Sequence, residues 1–109
     1  MIYLIKSASF NKNKTYYKIG FTNNLINRLK NGYVTHNPSV QLVESIATYK
    51  KTKRKLECEL HNELKSKGYK FHIGLFQTQT EWFEIDSDIE ISLQDFKACK
   101  NRKINKYGL

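Results

Sequence analysis

The sequence predicts an α/β domain of the α+β kind, a small, mainly antiparallel sheet flanked by helices. Three observations carry this. The runs IYLIKS (2–7) and TYYKIGF (15–21) are rich in β-branched and aromatic residues and lie one short loop apart. Leu56, Leu60 and Leu64 recur at i+4 within KTKRKLECELHNELKSKG (51–68). The elements follow the order β-β-α-β-α, then a short β and a terminal α, which suits helices packed on an antiparallel sheet.

The first strand spans 2–7, and the polar NKNK at 11–14 turns the chain into the second. Gly20 provides a tight turn at its end. Thr22 or Asn23 then caps a helix, because their side-chain oxygens accept from orphan N–H groups. Leu25, Ile26 and Leu29 supply that helix's apolar face, and Asn31-Gly32 stops it. His36-Asn37-Pro38 reads as a turn and QLVESIATY (41–49) as the next strand. The helix over 51–68 ends at Gly68. Residues 69–80 carry no clear pattern, and TEWFEI (80–85) reads as a short edge strand. Ser87 or Asp88 begins a weaker helical pattern through Ile91, Leu93 and Phe96. One domain is expected over 1–98, with 99–109 as a loose basic tail.

The 109 residues suffice for one modest core. Nineteen Lys and Arg against ten Asp and Glu give a net charge of +9, which points to a polyanionic partner. No apolar run approaches the roughly 18 residues a membrane span requires. MIYLIK is too short in apolar residues for a signal peptide, so an intracellular protein is expected, cytoplasmic or nuclear. Cys58 and Cys99 show no C-x-x-C spacing, which argues against a zinc site or disulfide framework and for two packing thiols.

Candidate chemistry rests on side chains beside buried stripes. Arg28 lies three residues after Leu25 and next to Leu29. It is placed either to reach a phosphate bidentately or to cover apolar surface with its stem. Glu57 and His61 share a helix face at i,i+4, as a surface pair or as a carboxylate for a divalent cation. Tyr3, Tyr16 and Tyr17 lie on the paired strands, where a tyrosine packs or orients a water.

The order of Ile2-Tyr3, Lys18-Ile19-Gly20, Arg28 and Glu57 resembles the GIY-YIG nuclease superfamily. It looks most like the viral and microbial branch whose second motif reads Y-K-I-G. Glu57-Cys58-Glu59-Leu60-His61 and Glu81-Trp82-Phe83 match that branch's E-x-x-L-H helix and late E-W-F. The resemblance covers residues 1–86. It implies a small three-stranded sheet between helices and a metal-dependent DNA endonuclease or nicking domain, a hydrolase of phosphodiester bonds. Tyr3 would orient or activate water, Arg28 would contact the scissile phosphate, and Glu57 would hold one Mg²⁺ or Mn²⁺. Tyr17 is a supporting catalytic candidate, and Lys18 and His61 are candidates for binding DNA phosphates. Glu81 is the competing carboxylate, and Trp82 and Phe83 are expected to be core aromatics. Met1 stands where the first motif has glycine, Lys18 where the second has tyrosine, and Gly32 where several members have histidine. The alternative is a GIY-YIG-fold module that binds nucleic acid and cleaves weakly or not at all. A third reading is a basic protein that binds RNA or an acidic protein.

Overall fold

The computed structural model describes residues 1–8, 12–28, 40–49, 51–73 and 79–107. Its elements are β1 (Ile2–Ala8), β2 (Lys14–Phe21), α1 (Leu25–Arg28), β3 (Gln41–Ile46), α2 (Lys53–Ser66), β4 (Phe71–Ile73), β5 (Gln79–Asp86) and β6 (Ile104–Lys106). The expected hairpin forms, with Ile2 opposite Phe21 and Ala8 opposite Thr15. Leu29, the Asn31-Gly32 stop, the His36-Asn37-Pro38 turn and Lys50 lie outside the described residues.

The α+β class stands, but the sheet is larger than three strands. Among the described residues it has six, in the order β4-β5-β2-β1-β3-β6, and every pairing is antiparallel. Residues 80–85, expected at an edge, lie instead between β4 and β2. Both outer strands have three residues, too few to leave a clear period-two pattern.

Alternation along the strands sends side chains to two cores. On one face, Ile2, Leu4, Tyr17, Ile19, Ile46, Phe83 and Ile85 pack with Leu56, Leu60 and Leu64 of α2. On the other, Tyr3, Ile5 and Val40 pack with Leu25, Leu42 and Trp82. The shift in pairing from Leu4–Glu44 to Ile5–Leu42 is a β-bulge that leaves Val43 as the extra residue on β3. The i+4 leucine spacing thus marked the buried stripe of α2 correctly. Gly68, at φ 93°, ends the helix as expected. Its N–H donates to the Lys65 carbonyl and that of Tyr69 to the Leu64 carbonyl, which satisfies two orphan carbonyls.

The weak helical pattern after Ser87 resolves into two single 3₁₀ turns, Leu93–Asp95 and Lys97–Cys99. Glu44 explains their start. Its buried carboxylate accepts from the Leu93 N–H at 2.6 Å and from the Ser92 hydroxyl at 2.9 Å. The stretch expected as a loose tail supplies β6, which pairs with β3. Beyond it Tyr107 shares a hydrogen bond with Ser45 at 2.8 Å. Cys99 is buried as expected, whereas Cys58 is exposed, because it follows Glu57 on the side of α2 away from the leucines.

Candidate active site

The site begins where the sheet splits. β2 and β5 pair from Lys14–Asp86 to Tyr17–Phe83, and β5 goes on to pair with β4 as far as Ile73–Gln79. Among the described residues, the β5-facing side of β2 beyond Tyr17 is met by side chains. The Ile19 carbonyl accepts from His61 Nε2 at 2.8 Å. Lys18 Nζ reaches across the split to Glu81 Oε2 at 3.1 Å. The Lys18 side chain is only 12% exposed, whereas that of Glu81 is 74% exposed.

Glu57 lies on α2 one helical turn before His61. It is half-buried and, among the described residues, has no ion-pair or hydrogen-bond partner. Desolvation pushes its carboxyl above the usual carboxylate range, and Glu81 adds to this. His61, Lys18 and Arg54 pull in the opposite direction.

Tyr3 occupies the face of the sheet that also carries Lys18 and Gly20, and it is 1% exposed. It lies directly across from Gly20. A Cβ on Gly20 would fall 2.5 Å from the Tyr3 hydroxyl and 2.7 Å from Cζ. Gly20 sits inside β2 rather than at a tight turn, and its missing side chain makes room for the Tyr3 ring.

The connection from β2 to α1 is clamped from two sides. Met1 and Thr22 exchange backbone hydrogen bonds, the Met1 amino group donating at 3.0 Å and the Thr22 N–H at 2.9 Å. Lys53, at the start of α2, donates to Asn23 Oδ1 at 2.7 Å and lies 5.1 Å above the Phe21 ring. The helix cap is Asn24, whose Oδ1 accepts from the Asn27 N–H at 3.1 Å. Thr22 holds the turn by accepting from the Asn24 N–H at 3.2 Å. From this anchored start α1 carries Arg28, which is exposed.

The expected residues therefore divide. Lys18 and Glu57 come within electrostatic reach of each other, and the register places Tyr3 on the face of Lys18. Tyr17 does not join them. It turns to the opposite face and is 4% exposed in the main core. Its hydroxyl bonds with the Ile91 backbone, and burial raises its pKa. Strand alternation points Tyr17 away from Tyr3, to the face of the sheet on which α2 packs. His61 spends Nε2 on Ile19 and packs its ring between Phe71 and Phe83, at centroid distances of 5.5 and 5.8 Å. It ties α2 to β2 rather than offering that nitrogen to a ligand. Trp82 and Phe83 pack into the two cores as expected.

Asn23 and Lys53, which join α1 to α2, carry no signal in the sequence. Sequence spacing relates residues along one helix but not the 30 positions between these two. Among the described residues no group of three or more His, Cys, Asp or Glu gathers to hold a metal. A Mg²⁺ site built on one carboxylate does not need one, since water and phosphate oxygens complete its octahedron. No helix among them is long and apolar enough to cross a membrane.

The T5orf172 domain model matches residues 1–103, and the chain belongs to that family, found in nuclease-like proteins of phages and bacteria. Neither a curated protein nor a solved structure matches the chain.

Proposed function

We propose that the chain is a GIY-YIG-type endonuclease that nicks DNA by hydrolysing a phosphodiester bond, with one Mg²⁺ or Mn²⁺ held by Glu57. The observation that carries this reading is the half-buried Glu57 carboxylate with no partner among the described residues, beside the cationic Lys18. A divalent cation there would supply the missing counter-charge and polarise a phosphate oxygen. Tyr3, its ring fixed against Gly20, orients the attacking water through its hydroxyl. Arg28 presents two parallel donors to the scissile phosphate. Lys18, released from Glu81, adds a point charge to the same phosphate.

The commitment of Lys18 to Glu81, at the position where the second motif has tyrosine, favours a second reading. In that reading the module binds DNA and cleaves weakly or not at all. Supercoiled plasmid incubated with the protein and Mg²⁺ or Mn²⁺ separates the two. Relaxed circles that form with metal, vanish with chelator, survive Glu81→Gln and are lost in Glu57→Gln are the expected result. Binding without nicking under every metal condition leaves the module reading. Nicking by Glu57→Gln at the wild-type rate overturns the assignment of the carboxylate.

A further inference from the structure

Tyr49 is the most exposed large apolar side chain among the described residues, at 82%. Its backbone is fixed. The Tyr49 carbonyl accepts from the Thr52 N–H at 3.1 Å, the Lys53 N–H at 3.2 Å and the Thr52 hydroxyl at 3.3 Å. A ring held in water on an anchored backbone exposes its π-face. Lys51, Arg54 and Lys55 are exposed beside it in the chain, and no acidic residue intervenes before Glu57. The patch adjoins the site already described, because Lys53 is bonded to Asn23 and Arg54 acts electrostatically on Glu57.

Cations alone attract any stretch of DNA phosphate. An exposed phenol ring adds something a paired duplex cannot use, since its bases are already stacked on one another. An unpaired base stacks on such a ring whatever its identity. We infer that Tyr49, with Lys51, Arg54 and Lys55, forms a stacking platform for an unpaired nucleotide on the DNA strand leading to Glu57. The substrate class is then DNA with a single-stranded segment beside the scissile phosphate, such as a fork, flap or gap. The word substrate rests on the nuclease reading, but the platform does not.

The two are separated by measuring binding in chelator, where cleavage plays no part. The probes are a fluorescein-labelled oligothymidylate and a blunt duplex of equal length, followed by anisotropy at one fixed salt concentration. Tyr49→Ala is expected to weaken oligothymidylate binding about tenfold while leaving duplex binding unchanged, and Tyr49→Phe to retain both. Lys51→Ala is expected to weaken both probes and to lower the salt slope by about one. Unchanged duplex affinity in Tyr49→Ala also shows that the variant is folded. Loss on neither probe, or equal loss on both, overturns the platform. Selective loss by a protein that leaves plasmid uncut keeps the platform and removes the nuclease.

Discussion

At Glu57 the fold penalises the charged form, and this has a signed consequence. Its carboxyl is raised above the ordinary value, chiefly by desolvation. The stability contributed by the protonated form is fully present below the unfolded pKa and is lost as pH rises through the folded one. Glu57→Gln, which keeps the shape and removes the charge, should therefore match the wild-type Tm in acid and equal or exceed it at neutral pH. Tm measured across that range checks this, and a fall at neutral pH would make Glu57 a structural residue. Arg28→Lys should slow single-turnover cleavage on the order of a hundred- to a thousandfold, with a smaller loss of DNA affinity, because lysine lacks the fork. Equal losses in cleavage and binding would make Arg28 one anchor among many. The thiols offer a separate check. Burial pushes Cys99 up to about 11, whereas Cys58 is exposed. A thiol reagent should modify Cys58 in the native protein and reach Cys99 only after unfolding. Mass spectrometry of the modified chain reads this directly.

On the scale of elements, α2 is held by its side and not by its start. Its first turn has three cations and no acid, and Thr52 makes no side-chain cap. That arrangement opposes the helix dipole. Replacing exposed Lys55 by Glu should stabilise the protein by about 0.3–1 kcal/mol while weakening DNA binding, as paired denaturation and anisotropy experiments would show. Leu60, fully buried, is where the helix is vulnerable, and Leu60→Ala should cost about 2–5 kcal/mol. These contrasts explain what the sequence made legible. β1, β2, the start of β3 and α2 were readable because each carries enough apolar residues for its period to show. β4 and β6 were not, since FHI and INK offer three residues each, and INK lies in a lysine-rich stretch. Glu57 was readable as a residue beside a buried stripe. The pairing of Lys18 with Glu81 depends on where β5 leaves β2, which no local pattern records. That Tyr17 faces away from Tyr3 was not read, although neighbours along a strand take opposite faces.

For the molecule as a whole, the net charge of +9 sets the ionic behaviour. DNA affinity should fall linearly as salt rises on logarithmic axes, and a flat response would remove phosphate contacts as the main source of binding. The short outer strand β6 has a different consequence. It pairs with β3 through residues 104–106, just past the end of the family match at residue 103. A protein trimmed to the family boundary would lose the segment that occupies the outer row of β3 backbone donors and acceptors, together with the Ser45–Tyr107 bond. Unsatisfied strand borders recruit other chains. The trimmed protein should therefore self-associate, with light scattering that grows with concentration where the longer chain stays monodisperse. The unit that the family match delimits and the unit that stays apart from its own copies would then differ by a few residues.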